Sequence, residues 1–254
     1  MQSLRFYFEK SLLGYFLQRI RDRWTFNSRY PSVFEYHGVQ IDLSILPLGM
    51  RSVILSGNYE LPEIQLISGF IEPEDRILEI GSALGFVGLH CRKVIGVKDV
   101  ICVEPNPQTL VYLRRNYELN CITPTVISAA LSACDGPLNF YVSDMFWCDA
   151  MYVRDDIPNS KEINVVGLTF GSILKETNSV FNTLIIDIEG GEKYLPLNEI
   201  PNYVNKILIE LHPEVISNRS SHKILETLIR LNFEIHGRVH NTWALKKFTS
   251  EPSC

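Results

Sequence analysis

The stretch "ILEIGSALGFVGLH", residues 77–90, decides the fold. It begins as an apolar run typical of a buried strand, passes through small residues, and ends in an apolar segment typical of a helix. One acidic residue, Glu79, interrupts the apolar run directly before the turn that holds Gly81, Ala83 and Gly85. A carboxylate at such a place needs a partner, and the nature of that partner separates the two main interpretations of the chain.

Strand-like and helix-like segments alternate downstream of this turn. The predicted strands are "RILEI", "DVICVE", "PTVISAAL", "INVV", "TLIIDI" and "KILIEL", with "GPLNFYVS" as an added strand and "FEIHG" and "TWALKKF" as a terminal hairpin. Such alternation predicts an α/β fold, a mostly parallel sheet with helices on both faces. A further hairpin is predicted around His37-Gly38, and a short helix with Ile64, Ile67 and Phe70 on one face.

The chain has 254 residues, 46% of them hydrophobic, which suits one globular domain. We expect a single domain over residues 31–250, preceded by an amphipathic helical extension over residues 1–30. Apolar residues recur every four positions from Leu4 to Ile20, which predicts a helix over 3–24. This helix either docks on the domain or mediates self-association, as in a homodimer, or it contacts a membrane surface.

Composition narrows the partners. The formal net charge of −5 disfavours duplex nucleic acid, which needs clustered Lys and Arg, and leaves a small-molecule or glycan acceptor. No run of about 18 apolar residues predicts a membrane span. The six cysteines form no CxxC pair, so a zinc site has no local support. In a chain of this length we expect them to be reduced thiols, which predicts a reducing compartment and a cytoplasmic location.

The spacing of small residues distinguishes two cofactor classes. A dinucleotide fingerprint needs glycine at its third and sixth positions, where this chain has Ala83 and Phe86. A pyrophosphate at the helix N-terminus would also be repelled by Glu79. S-adenosylmethionine has no phosphate and carries an ammonium and a sulfonium, so a carboxylate near the turn favours it. The predicted cofactor is therefore S-adenosylmethionine.

A second acid supports this choice. Glu104 ends the next predicted strand, about 25 residues after Glu79, near the spacing at which an acid accepts hydrogen bonds from a ribose diol. Its alternative role is to cap the helix that begins at Pro107. Tyr59 and Glu60 precede the sheet and are expected to close over the cofactor, with the ring near the sulfonium; the alternative is a helix start favoured by the helix dipole.

Three catalytic candidates lie at adjacent strand ends: Asp187, Glu189 and His212. Methyl transfer to an alcohol benefits from a base that takes the proton during attack, and these side chains offer one. Their structural alternatives are a helix N-cap, a solvated loop acid and a hydrogen-bonded histidine before Pro213. Paired acids also suggest a metal, but additional Asp-Asn ligands are not evident, so we expect no metal dependence.

Four motifs together resemble the FkbM-type S-adenosylmethionine-dependent methyltransferases. They are "ILEIGSALGFVGL", "VEPNPQTLVYLRRNYELN", "AALSACDGPLNFYVSD" and "IIDIEGGEKYLP", with "SGNYELPEIQLI" and "ILIELHP" outside them. Their order and spacing carry the resemblance, which covers about residues 38–247. It implies a Rossmann-like class I methyltransferase, a seven-stranded mostly parallel sheet with the last strand antiparallel.

The resemblance also implies roles for individual residues. Glu79, Gly81 and Gly85 would hold the methionine part of the cofactor, Glu104 the ribose, and Asn106, Ser128 and Ala129 would lie near the adenine. One departure concerns the aromatic loop "YVSDMFWCDAMY", where many members have Ser-Ser and this chain has Asp149-Ala150. The loop either lines the acceptor pocket or only packs.

The predicted function is thus O-methylation of a hydroxyl on a sugar, glycan or small natural product. Two alternatives from other classes remain open: a non-catalytic Rossmann-like module that binds a partner through the N-terminal helix, and an NAD-dependent oxidoreductase. "DIEGG" at the end of the predicted strand "TLIIDI" also differs from the Asn/Asp-Pro-Pro-aromatic run of many amino-group methyltransferases, which favours an oxygen acceptor.

Overall fold

The structure is a computed structural model and describes residues 31–143 and 160–248. Its strands are β1 (Val33–Tyr36), β2 (Val39–Asp42), β3 (Arg76–Ile80), β4 (Asp99–Val103), β5 (Thr125–Ile127), β6 (Ala130–Leu131), β7 (Gly136–Val142), β8 (Lys161–Leu168), β9 (Thr183–Ile186), β10 (Lys206–Glu210), β11 (Phe233–Val239) and β12 (Thr242–Lys247). Its α-helices are α1 (Leu48–Leu55), α2 (Leu61–Phe70), α3 (Phe86–His90), α4 (Pro107–Leu119), α5 (Phe170–Thr177), α6 (Pro213–Ile216) and α7 (Asn218–Arg230).

Seven strands form the central sheet in the order β11-β12-β10-β9-β3-β4-β5. All neighbouring pairs from β10 to β5 are parallel, whereas β12 pairs antiparallel with both β10 and β11. The prediction of a seven-stranded, mostly parallel sheet with an antiparallel last strand is confirmed. Strand order reverses between β3 and β9, so their carboxyl ends form the crevice in which ligands of such sheets bind.

The two faces of the sheet bury separate clusters of apolar side chains. Ile77 and Val100 pack on one face with α1 to α4 and the β1–β2 hairpin. Leu78 and Ile101 pack on the other with α5 and α7. Because side chains alternate along a strand, Glu79 shares the face of Ile77, beneath α3 and α4. This alternation fixes the environment of the acid before any ligand is considered.

The segment "PTVISAAL" is not one strand, and that prediction was wrong. β5 follows β4 up to Ile127, whose carbonyl accepts a hydrogen bond from the Glu104 N–H at 3.1 Å. The chain then leaves the main sheet, and β6 pairs in parallel with β8 in a separate three-stranded sheet of order β6-β8-β7. The predicted added strand is confirmed as β7, which pairs antiparallel with β8. Ala129 lies at the point where the chain crosses between the sheets.

The local elements follow from their sequences. The predicted hairpin is confirmed as β1–β2 and the predicted short helix as α2. α3 is shorter than its apolar pattern and continues as a π-helical turn over Cys91–Ile95, which ends at Gly96 in a left-handed conformation. The predicted N-terminal helix and the whole 1–30 extension lie outside the described residues. No helix in the described part of the chain combines the length and the apolar character needed to cross a membrane.

Candidate active site

A cleft opens at the carboxyl ends of β3, β4 and β9, where the change in strand order places it. Its lining divides into a polar part and an apolar part. The polar part comprises Tyr59, Glu60, Gly81, Ala83, Glu104, Asp187 and Glu189, and the apolar part comprises Ile80, Val103, Pro105, Ala129, Ala130, Leu131, Phe140 and Ile188. Seven of the residues predicted from the sequence to act here therefore share one cleft.

The turn after β3 holds the ends of β3 and β9 in close contact. Gly81 has φ +84°, and a Cβ built on it would lie 1.7 Å from the Asp187 carbonyl oxygen. Gly85 has φ +71°, and its Cβ would lie 2.7 Å from the Tyr117 ring. Both positions have a left-handed backbone and no room for a Cβ, so both require glycine. Gly81 lines the cleft, whereas Gly85 packs against α4 and lies behind it.

The carboxylate of Glu79 forms hydrogen bonds with other groups of the protein. Its carboxylate accepts a hydrogen bond from the Gly88 N–H at 2.9 Å and one from the Cys102 thiol at 3.4 Å. The residue is 3% exposed and lines a smaller pocket that adjoins the main cleft. Burial raises the pKa of Glu79 to about 7, against the hydrogen bonds from Cys102 and Gly88, which lower it. Its predicted contact with the methionine part of the cofactor stays a prediction.

Glu104 faces the cleft and also anchors the neighbouring turn. Its two carboxylate oxygens accept hydrogen bonds from the Ala83 N–H at 3.0 Å and the Asn106 N–H at 2.8 Å. A carboxylate accepts hydrogen bonds at both oxygens, which is the chemistry that a ribose diol would need. Ala83 needs this anchor because it has φ +42°, which costs a non-glycine residue about 1–2 kcal/mol.

Of the three residues expected near the adenine, only Ala129 lines the cleft. Ala129 lines the cleft beside Phe140 of β7, an aromatic neighbour that the sequence analysis did not identify. Asn106 is buried and caps α4 by accepting a hydrogen bond from the Gln108 N–H at 2.9 Å. Ser128 is exposed and does not line the cleft. The contacts of Asn106 and Ser128 with adenine remain predictions.

Tyr59 and Glu60 occupy the opposite wall. The Tyr59 carbonyl accepts a hydrogen bond from the Tyr36 hydroxyl at 2.8 Å, and its ring lies 5.6 Å from that of Phe86 in α3. Glu60 begins α2 in a left-handed conformation with φ +52°. The β1–β2 hairpin thus supports this wall of the cleft through Tyr36.

The three catalytic candidates come together at the ends of β9 and β10. His212 Nε2 lies 3.7 Å from Asp187 Oδ1 and 3.7 Å from Glu189 Oε2. Asp187 Oδ1 is buried and has no hydrogen-bond partner among the described residues. Asp187 and Glu189 line the cleft, and His212 lies directly behind them, 7% exposed.

A third acid, Glu192, which was not predicted from the sequence, completes this group. Glu192 Oε1 lies 2.8 Å from His212 Nδ1 and accepts a hydrogen bond from the Gly190 N–H at 2.9 Å. The side chain of Glu192 has no exposed surface. Its signal in the sequence was the repeat of an acid three positions after Glu189, across the Gly190-Gly191 turn that brings both acids to one histidine.

The acids determine the charge of His212. Burial lowers the pKa of His212, but the hydrogen bond to Glu192 and the charges of Asp187 and Glu189 outweigh it and raise that pKa to about 10. Burial raises the pKa of Asp187, while the His212 charge acts in the opposite direction. At neutral pH the ligand-free site therefore holds an imidazolium cation next to a carboxylate with increased basicity.

More acids lie on the β10 side, where the smaller pocket adjoins the cleft. Burial, followed by Asp187 and Glu63, raises the pKa of Glu210 to about 9. Glu63 accepts a hydrogen bond from the Thr242 hydroxyl at 2.6 Å. Asp187, Glu210 and His212 each bring one donor atom within 4.8 Å of the others, so these are the described residues that offer a metal site. The expectation of a metal-independent enzyme stays a prediction.

The candidate acceptor loop is described only at its start. Tyr141 and Val142 end β7 and Ser143 follows, whereas Asp149-Ala150 and the rest of the aromatic segment lie outside the described residues. One candidate site nevertheless lies at the reversal of strand order. It combines the glycine-containing turn after β3, the acids that line the cleft and the acid-histidine group around His212.

Comparison with known proteins assigns a family. The model of the methyltransferase FkbM domain matches residues 79–233, more than half of the 254-residue chain. No curated protein matches the chain.

Three solved structures are similar in fold. The methyltransferase FkbM from Methylobacillus flagellatus KT is 16% identical, with a TM-score of 0.46, over 92% of this chain and 60% of that one. The ribosomal protein L11 methylase from Lactobacillus delbrueckii subsp. bulgaricus is 14% identical, with a TM-score of 0.42, over 74% and 78%. The precorrin-6y C5,15-methyltransferase from Geobacter metallireducens GS-15 is 13% identical, with a TM-score of 0.41, over 73% and 85%.

The likeness to these structures concerns fold alone, whereas the match of the family model spans both strand-end acids and the acid-histidine group. The chain belongs to the methyltransferase FkbM domain family of S-adenosylmethionine-dependent methyltransferases.

Proposed function

We propose that the protein transfers the methyl group of S-adenosylmethionine to a hydroxyl oxygen of a sugar, glycan or small natural product. The observation that carries the proposal is the position of Asp187. It follows β9 at the reversal of strand order, lines the cleft, and has a buried Oδ1 without a hydrogen-bond partner in the described part of the chain. A carboxylate oxygen in this state is suited to accept a proton from a bound alcohol.

The cleft residues suit the proposed cofactor at both ends. Glu104 places a carboxylate, the acceptor that a ribose diol needs, in the lining of the cleft, and the apolar wall around Ala129 and Phe140 suits an adenine ring. The acids Glu60, Asp187 and Glu189 line the polar part, where an ammonium and a sulfonium would be stabilised. No Lys or Arg side chain lines the described cleft, so a pyrophosphate would find no cationic partner there.

The cofactor supplies a methyl carbon already activated by a sulfonium. The chain aligns the acceptor in line with that carbon and excludes water. With both compounds bound, the acceptor oxygen would take the methyl group, S-adenosylhomocysteine would leave with the electron pair of the C–S bond, and Asp187 would take the hydroxyl proton. The positive charge of His212 lies 3.7 Å from Asp187 and favours its ionised form, against burial, which raises the pKa of that carboxyl.

An acceptor screen tests the proposal. Purified full-length protein is incubated with S-adenosylmethionine and, separately, with sugars, small alcohols and small amines, and S-adenosylhomocysteine release is measured. We expect release with a hydroxyl acceptor, abolished when that hydroxyl is replaced by hydrogen. Release with amines alone would reject oxygen as the acceptor, and hydride transfer to NAD⁺ would reject the methyltransferase mechanism itself.

A further inference from the structure

Two glutamates three positions apart contact opposite nitrogens of the same imidazole. Glu189 Oε2 lies 3.7 Å from His212 Nε2 on the cleft side, and Glu192 Oε1 lies 2.8 Å from His212 Nδ1 on the buried side. Gly190 makes this possible, because its φ of +93° reverses the chain between the two acids. One short turn therefore defines both faces of the histidine.

Glu192 does not touch the cleft. It is absent from the cleft lining and its side chain has no exposed surface, so any influence on the reaction passes through His212. Its partners are the Gly190 N–H and His212 Nδ1, both at Oε1, whereas Oε2 is buried without a hydrogen-bond partner in the described residues.

A merely structural role does not account for a carboxylate here. A neutral amide oxygen would accept the Gly190 N–H as well, without the cost of burying a charge. A carboxylate accepts a hydrogen bond from an imidazole N–H more strongly than an amide oxygen does, and Glu192 Oε1 lies 2.8 Å from His212 Nδ1.

We propose that Glu192 is the positioning residue of the methyl-transfer site: it fixes the His212 ring with Nδ1 toward itself, so that Nε2 faces Asp187 and Glu189 in the cleft. The inference rests on the proposed function of Asp187 and His212. Carboxylate, imidazole and carboxylate then form a relay of fixed geometry, in which Asp187 meets the substrate and Glu192 holds the opposite end.

The test compares wild type with E192Q, which keeps the side-chain shape and removes the charge, and with E192D, which keeps the charge. E199Q, an exposed acid in the next turn, is the matched control. The His212 ring N–H signals are recorded by NMR on ¹⁵N-histidine-labelled full-length protein, assigned with H212Q. Turnover and the KM for S-adenosylmethionine are measured with an acceptor from the screen.

In E192Q we expect the Nδ1–H signal to move upfield and to exchange with water faster. We expect kcat to fall about tenfold or more, with little change in KM, and E192D to recover part of both. E199Q should match wild type in all readouts. Unchanged ring signals in a folded E192Q, or changed signals with unchanged kcat, would overturn the role of Glu192.

Different results would reject the proposed function and the positioning role of Glu192. The NMR readout needs neither cofactor nor acceptor, so it reports on Glu192 and His212 even if no methyl transfer is found. Absence of binding of S-adenosylhomocysteine with normal ring signals would reject the proposed function, whereas binding and turnover that ignore Glu192 would reject only the positioning role.

Discussion

The ends of β3 and β9 touch each other, yet the acidic residue at each end has a different environment. Glu79 belongs to β3 itself, and its carboxylate is bonded to Gly88 and Cys102 beneath α3. Asp187 directly follows β9, and its Oδ1 has no hydrogen-bond partner among described groups although it borders the cleft. An acid inside a strand takes the face that alternation assigns, whereas an acid past the strand end is free to face a ligand.

The contact between these two strand ends is the most sensitive point of this arrangement. In G81A the new Cβ would meet the Asp187 carbonyl at 1.7 Å. We expect the free energy of unfolding to fall by about 2–5 kcal/mol, from the left-handed backbone and from overpacking. Chemical denaturation measures the change, and a surviving fold should no longer bind S-adenosylhomocysteine.

G57A is the matched control for this variant. Gly57 has a similar φ of +79°, but a Cβ there would meet nothing within 4 Å. Only the backbone cost remains, about 1–2 kcal/mol. Equal losses in G81A and G57A would mean that the ends of β3 and β9 are not in the close contact described.

The buried state of Glu79 predicts a pH dependence of stability. Its pKa rises from 4.5 to about 7 on folding, so the folded state binds the proton more tightly. The stabilisation that this residue contributes is therefore complete below about pH 4.5 and is lost as the pH rises to about 7, by about 3 kcal/mol.

E79Q removes this dependence while preserving shape. We expect the difference in unfolding free energy between wild type and E79Q to change by that amount between pH 4.5 and pH 8, in favour of E79Q at high pH. A constant difference would show that the carboxylate titrates normally. Affinity for S-adenosylhomocysteine, measured on the same variant, decides whether Glu79 also acts on the cofactor.

Asp187, which follows β9, should affect the rate of methyl transfer more than the affinity for the cofactor. D187N keeps the shape of the side chain but removes the proton acceptor, so we expect turnover to fall on the order of 100-fold with little change in cofactor affinity. E189Q is the companion variant, since Glu189 lies at the same 3.7 Å from His212 Nε2. A larger loss in E189Q than in D187N would exchange their roles.

Glu104 connects the two functions of these acids, because it bonds the Ala83 turn and faces the cleft. E104A should weaken S-adenosylhomocysteine binding by about 1–3 kcal/mol, the cost of leaving buried donors without a partner. Calorimetric titration measures this change. Unchanged affinity would remove Glu104 from the cofactor site and leave it as the anchor of the turn.

The sequence predicted the parts of the fold that repeat a pattern. Alternating apolar strands and helices predicted a parallel sheet with helices on both faces, the resemblance predicted seven strands with the last one antiparallel, and both hairpins were predicted from their flanking strand-like segments. The break of "PTVISAAL" into β5 and β6 was not predictable, because its cause is the partner strand β8, about 30 residues away along the chain. Residues 77–90 similarly predicted a strand, a tight turn and a helix, but not the face taken by Glu79.

The sequence predicted which candidate residues would lie close together where those residues follow adjacent strands. Asp187, Glu189 and His212 meet as expected, since the ends of adjacent parallel strands lie side by side. Glu192 was missed because its contact depends on the left-handed Gly190, which the letters "EGGEK" do not specify. Glu210 was missed because it is the last residue of an apolar strand and reads as the edge of the core.

The measurement that tests the account most directly is calorimetric titration of the purified protein with S-adenosylhomocysteine, with NAD⁺ titrated in parallel. The acids around the cleft and the glycine turn predict binding of the former with micromolar affinity, about −8 kcal/mol, and no heat with NAD⁺. A folded protein that binds NAD⁺, or that binds neither compound, would contradict the assignment of the cleft.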